Sequence, residues 1–252
     1  MEKYIACWRQ KLNRIDLHIH SALSACCADE MSPIVILEQA IQKNLKVVSI
    51  TDHNNVQHSI LAYLLCKEKP ICVIPGVELT TKEEVHLLAY FSDIKELLEL
   101  EKKIHYSLPK EKNNSSILGY QVCYNLEGEI VGIDDSLRQT ALNLGMDYLI
   151  DFIHSIGGIA IPAHIDKNRF SLLSQLGFLD PKEKFDAVEV SKFTWEKEDF
   201  YLGNTWNGFP VISGSDSHNL KDIGLFCIED NNEEINDFIT LKNSIIRIKN
   251  KQ

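Results

Sequence analysis

Short apolar runs rich in valine and isoleucine recur along the chain, at residues 14–19, 46–50, 71–77, 85–91, 158–161, 185–190 and 209–212. Most are too short for helices and are bounded by Gly, Pro, Asp or Ser, so they read as buried strands. Between the first two the period changes: Ser32-Pro33 makes a cap and first turn, and Ile34, Leu37, Ala40 and Ile41 follow at helical spacing. Residues 55–67 and 147–154 read as further helices, the second after a break at Gly145. Strand and helix alternating at this cadence predict an α/β fold with a parallel sheet covered by helices. Seven such strands suit a distorted (β/α)7 barrel of the TIM type. Residues 92–147 break the rhythm with the charged helical pattern IKELLELEKKIH and the polar, glycine-marked YNLEGEIVGIDDS. They predict a short insertion or cap within one domain spanning residues 1–252.

Composition narrows the class. With 44% apolar and 25% charged residues, the chain is an ordinary globular protein with a sizeable core. No apolar run is long enough to span a membrane, and the opening residues show no secretory signal. Seven scattered cysteines, an odd count, read as reduced thiols, so a cytoplasmic location is expected. A formal charge of −10 argues against non-specific duplex DNA binding, which needs many cationic contacts. A local cationic pocket or a bound metal could still receive an anionic ligand.

Chemistry in parallel α/β folds collects at the carboxyl ends of strands. RIDLHIH delivers His18 and His20 there, KVVSITDH delivers Asp52 and His53, and ICVIPGVEL delivers Glu78. VHLLAYF carries His86 at its start, GGIAIPAH delivers His164, and FPVISGSDSH delivers Asp216 and His218. Each signal alone is weak, since a lone histidine is more often a satisfied core or surface group. Six of the nine histidines at strand ends are a different matter. Neutral imidazoles and carboxylates are ligands for Zn²⁺, Mn²⁺ or Fe²⁺, and crowding them without a cation leaves charges and lone pairs unpaired. Eight donors exceed one tetrahedral ion, so two or three ions are implied, bridged by a carboxylate such as Glu78 or Asp216.

The segments RIDLHIHSALS, VVSITDHN, IPGVELTTKEEVHLL, IAIPAHI and ISGSDSH resemble, in order and spacing, the motifs of the PHP (polymerase and histidinol phosphatase) family. The resemblance implies a distorted (β/α)7 barrel with a multinuclear site at its mouth and metal-dependent phosphoesterase activity. It implies His18, His20, His53, Glu78, His86, His164, Asp216 and His218 as metal ligands, with Glu78 bridging. One position departs from the pattern. Where many members carry an acid five residues after the second histidine, this chain has Ala25, and Cys26, Cys27, Asp29 and Glu30 are the alternatives.

The expected reaction is hydrolysis of a phosphate ester of a small metabolite, a nucleotide or a short oligonucleotide end by a metal-activated hydroxide. His218 or His164, freed if only two ions bind, would protonate the leaving oxygen. Arg138 is the candidate phosphate contact; Lys167, Arg169 and Lys192 read as surface charges with the mouth as the alternative. His58, His105 and His154 read as structural, Asp16 and Asp52 as orienting groups, Glu189 as a hydrogen-bonding group, and Trp195 and Trp206 as packing. Two rival functions stand beside this one: a metal-stabilised regulatory or binding module, and an amidohydrolase. The second lacks the bridging lysine that its barrels carry at a central strand end.

Overall fold

The first strand, β1 (Asn13–Ile19), alternates Ile15, Leu17 and Ile19 with Asp16 and His18, and both faces are fully enclosed there. The structure, a computed structural model, describes residues 13–230 and 234–251. Helix α1 (Pro33–Gln42) carries the chain over to β2 (Leu45–Ile50), parallel to β1. Its start is local chemistry: the Ser32 side chain accepts the Val35 N–H at 3.4 Å and Pro33 occupies the first turn. Its buried stripe is Pro33, Ile36, Leu37 and Ala40. After α2 (Gln57–Leu65), β3 (Cys72–Val73) again pairs parallel with β2.

The parallel pattern then stops. β4 (Gly76–Thr80) and β5 (His86–Tyr90) pair antiparallel, with Thr80 opposite His86. The intervening residues close a tight turn, in which the Val85 carbonyl accepts the Thr81 N–H at 2.9 Å. A parallel return needs a crossover of about a dozen residues or more, and this link is far shorter. Next come α3 (Ile94–Ser107), α4 (Ser115–Leu118), the hairpin of β6 (Val122–Tyr124) and β7 (Ile130–Ile133), and α5 (Met146–Ser155). β8 (Ile159–Pro162) pairs antiparallel with β5, Leu87 facing Pro162. The expectation of a wholly parallel sheet is therefore corrected. The reversal has a consequence: the start of β5 lies at the same rim as the ends of β4 and β8.

The remainder comprises α6 (Leu172–Leu176), β9 (Val188–Glu189), α7 (Lys192–Lys197), β10 (Thr205–Trp206), β11 (Phe209–Ile212), β12 (Ile228–Asp230) and α8 (Phe238–Lys249). The ladders run β12-β1-β2-β3, β4-β5-β8, β10-β11-β9 and β6-β7. Among the described residues no continuous ladder closes into a barrel; single contacts join the sheets at the rim. These are the His53–Glu78 bridge, Ile165 N–H to the Glu189 carbonyl at 2.9 Å, and His20 N–H to the Ser217 carbonyl at 3.0 Å. Leu17, Leu88, Ile161 and Ile212 pack between the sheets, while Leu97, Leu100 and Ile104 of α3 cover Phe91 and its neighbours. Among the described residues no helix is long and apolar enough to cross a membrane.

Candidate metal centre

Side chains two apart on a strand share a face, so β1 and its extension aim His18 and His20 at one point. Their tautomers follow from their neighbours. His18 Nδ1 lies 2.9 Å from the Glu189 carboxylate, to which it donates. The Ser24 hydroxyl gives its single proton to Asp52 Oδ1 at 2.7 Å, so at 3.0 Å it accepts from His20 Nδ1. Both Nε2 atoms are thereby left with bare lone pairs, 3.3 Å apart, with Asp216 Oδ1 at 3.4 and 3.2 Å from them. Two imidazole lone pairs and a carboxylate meeting in a largely buried pocket repel unless a proton or a metal cation stands among them.

Glu78 extends the pattern. Its Oε2 is 3.0 Å from His53 Nδ1 and 3.3 Å from His20 Nε2; its Oε1 is 3.0 Å from His86 Nδ1 and 3.4 Å from both His18 Nε2 and His164 Nε2. Yet Glu78 Oε1 and Oε2, His53 Nδ1, His86 Nδ1 and His164 Nδ1 are buried without a hydrogen-bond partner among the described residues. Of these, His53 Nδ1 and His86 Nδ1 face the two Glu78 oxygens across 3.0 Å, as donors around a shared point do, whereas His164 turns its Nε2 toward Glu78. Three groups of donors gather within 4.8 Å: His18, His20 and Glu78; His53, Glu78 and His86; His20, His53 and His218. The donor set fits divalent ions, and Glu78 belongs to two of the groups. All eight residues singled out in the sequence meet here, His218 with its ring centroid 4.3 Å from that of His20.

Without a metal ion the cluster balances its charge with protons: Glu189, Asp216 and Glu78 outweigh burial and raise His18 well above its ordinary value, and Glu78 and Cys26 outweigh burial and raise His53 to about 10. Burial would raise the Glu78 carboxyl, but the imidazoles of His86, His18 and His53 outweigh it and hold it well below the carboxylate range. Burial likewise opposes Asp216, which His18, His20 and Lys167 keep well below its ordinary value. Aiming the donors inward bends the backbone, since His164 and Asp216 sit at φ 29° and 48°, a left-handed conformation that costs a non-glycine residue about 1–2 kcal/mol. Gly214 lets the chain pass beside His18, since a Cβ there would lie 2.6 Å from that of His18 and 2.7 Å from Glu189 Oε1.

Asp52 orients its neighbours and Glu189 hydrogen-bonds His18, as expected, whereas Ser21 and Ser24, the partners of Asp52, carry no motif signal and escape sequence reading. His58 is structural, as expected. It accepts the Tyr124 N–H at Nε2 (3.0 Å), so Nδ1 carries the proton it donates to Ser21 Oγ at 2.7 Å. Burial pushes this imidazole down to about 4. Between that value and the unfolded value of 6.5 the unfolded chain binds the extra proton. Stability from His58 is therefore complete above about pH 6.5 and fades as pH falls toward about 4, by about 3 kcal/mol. Denaturant titrations of the metal-free protein at about pH 7 and about pH 5 are expected to show a smaller drop in a His58→Gln variant than in the wild type.

A cavity of about 710 Å³ opens above the cluster, lined by His53, His86, His164, Asp216 and His218 together with Cys26, Thr140, Lys167, Arg169 and Phe170. Lys167 and Arg169 thus take the mouth position, with Lys167 paired to Asp216. Lys192 does not line this cavity. Trp195 packs on Phe200 and Phe226. Arg138 departs from expectation: it is 6% exposed, outside the cavity lining, with Nε on Asp134 at 2.9 Å and Nη1 on the Asn54 carbonyl at 2.8 Å. The residue anchors the 134–140 segment to the loop after β2. Arg138→Ala is accordingly expected to lower unfolding stability by about 2–4 kcal/mol, with KM for a phosphate ester changed little, as denaturant titration and steady-state kinetics would show.

The PHP domain model matches residues 16–187. No curated protein matches the chain. Among solved structures, the lesion-specific endonuclease EndoQ of Pyrococcus furiosus superposes with a TM-score of 0.57 at 21% identity, covering 83% of this chain and 49% of that one. An Endonuclease Q complex with a 27-mer duplex substrate, its abasic lesion at the active site, gives 0.59 at 20% identity, with 83% and 50% covered. This chain therefore spans about half the length of those endonuclease structures. A presumptive metal-dependent phosphoesterase of Bifidobacterium adolescentis gives 0.55 at 18% identity, with 92% and 96% covered. With the model match running from the first histidine strand to the threshold of β9, and a shared fold around the donor cluster, this chain belongs to the PHP domain family.

Proposed function

We propose that this chain hydrolyses the phosphate ester of a small metabolite, a nucleotide or the end of a short oligonucleotide, using two or three divalent ions of manganese, zinc or iron. The observation that carries the reading is the gathering of histidine and carboxylate donors within 4.8 Å around Glu78, whose two buried oxygens form no hydrogen bond among the described residues. In this reading His18, His20, His53, Glu78, His86, His164, Asp216 and His218 hold the ions, with Glu78 shared. When bound, such ions acidify a coordinated water and neutralise phosphate oxygens.

The chain's own residues do the rest. Lys167 and Arg169 present cationic donors to the phosphate from the cavity wall. Phe170, stacked on His86 at 5.0 Å, walls one side against water. His218 Nδ1 donates to the Asp216 carbonyl at 2.8 Å, so if only two ions bind, its Nε2 is the atom left to exchange a proton with a leaving oxygen; a freed His164 is the other candidate. A cavity of about 710 Å³ suits a compact ligand, and the net charge of −10 disfavours long duplexes. The likeness to Endonuclease Q keeps an oligonucleotide end among the substrates worth testing. We read β1, β2, β4, β5, β8, β9 and β11 as one distorted seven-strand barrel, residues 92–147 as an insertion in a single domain, and the enzyme as cytoplasmic.

After chelation and dialysis, turnover of p-nitrophenyl phosphate, bis-p-nitrophenyl phosphate, nucleotides or short oligonucleotides is expected to return on adding Mn²⁺, Zn²⁺ or Fe²⁺. Metal-loaded protein inert toward all of them would overturn the proposal in favour of a metal-stabilised binding module. Glu189 offers a gentler probe, because it holds the His18 tautomer and accepts the His164 N–H at 3.0 Å. Glu189→Gln is expected to weaken cation binding by about 10–100-fold, read by competition against a chromophoric chelator.

A further inference from the structure

The position at which the chain departs from its family is Ala25, and the structure separates the four neighbours that could stand in for an acid there. Cys27 is turned away: its thiol donates to the His218 carbonyl at 3.3 Å and is nearly fully buried. Asp29 and Glu30 are exposed and do not line the cavity. Cys26, although exposed as well, does line it, together with His53 and His218.

The loop that presents Cys26 is clamped on both sides. Cys27 N–H bonds the Ser24 carbonyl at 2.8 Å and Ala28 N–H bonds the His218 carbonyl at 3.1 Å. On the outer side Gly119, at φ +100°, lies so close that a Cβ there would come within 2.0 Å of the Ala25 carbonyl oxygen. The turn therefore cannot swing Ala25 or Cys27 inward in place of Cys26.

The donor balance shows what the thiol is for. The groups His18–His20–Glu78 and His53–Glu78–His86 each contain a carboxylate, whereas His20, His53 and His218 offer three nitrogens and no anion. His20 Nε2 is moreover committed to the deep side, 3.3 Å from Glu78 and 3.2 Å from Asp216. We infer that Cys26 is a thiolate ligand, supplying with His53 and His218 the outermost cation site and replacing the missing acid. The inference rests on the metal reading above and deepens it. A sulfur donor selects Zn²⁺, Co²⁺ or Cd²⁺ over Mn²⁺ and Mg²⁺ at that one site. It also makes the site, unlike an acid-bearing one, open to oxidation at sulfur.

The test titrates the metal-free full chain with Co²⁺, following absorption and bound metal together. Wild type is expected to develop a thiolate-to-cobalt charge-transfer band in the near ultraviolet. Cys26→Ser should lose the band and bind one ion fewer, and Cys27→Ser should keep both. Cys26→Asp should bind the full complement without the band and shift the preference of the outer site toward Mn²⁺, which also shows that the loop still folds. Cobalt bound at wild-type stoichiometry with no band, or a band that survives in Cys26→Ser, overturns the assignment and leaves the phosphoesterase proposal standing. A chain that binds no cobalt at all overturns both.

Discussion

Replacing Glu78 with glutamine is expected to strip the site of ions and activity together. Glu78 is fully buried, and its two oxygens touch five imidazoles on four strands or strand ends. An amide keeps the shape but carries no charge and turns an N–H₂ toward lone pairs, so at least one of the two donor groups that share Glu78 loses its anion. Turnover should fall by on the order of 10³-fold, equivalent to about 4 kcal/mol in the transition state. Metal analysis after dialysis should show the loss directly. The metal-free proteins make the decisive comparison: if Glu78→Gln binds cations as tightly as wild type, the shared-carboxylate reading is wrong.

Asp52→Ala should do its damage through the fold. Its carboxylate accepts the Ser21 N–H at 2.7 Å, the Ser21 hydroxyl at 2.5 Å and the Ser24 hydroxyl at 2.7 Å, all in a buried setting. Removing it leaves three donors with no acceptor and frees the Ser24 hydroxyl, which both fixes the His20 tautomer and accepts the His53 N–H at 3.2 Å. A loss of about 3–5 kcal/mol in unfolding free energy is expected, along with weakened cation binding. Asp52→Asn, which retains one acceptor oxygen, should lose less of both. Equal stability of the alanine variant and wild type in denaturant titration would show that this network carries little.

The donor set is legible in the sequence because imidazole and carboxylate side chains are chemically specific. His18, His20, His53, Glu78, His164, Asp216 and His218 each follow an apolar run, and strand ends are where a sheet exposes side chains to a shared rim. His86 is legible as a donor but not as a neighbour. At the start of a parallel strand it would lie at the far end of the sheet, and only the antiparallel return of β5 brings it to Glu78. That reversal is itself available from the short spacing between the runs at 71–77 and 85–91, which leaves no room for a crossover. Arg138 misleads for a different reason. A guanidinium near a site looks the same in sequence whether it faces a phosphate or, as here, an internal carboxylate and carbonyl.

The order of residues alone determined which atoms could bind a cation and that alternating strands and helices would bring them to one rim, because period and residue chemistry are local properties. The tertiary structure decided what depends on contacts between distant segments: the protons placed on His18 and His20 by Glu189 and Ser24, and the place of Cys26, rather than Cys27, Asp29 or Glu30, on the cavity wall. Those outcomes rest on contacts between segments up to about two hundred residues apart, and a hydrogen bond of that range leaves no periodic trace in the chain.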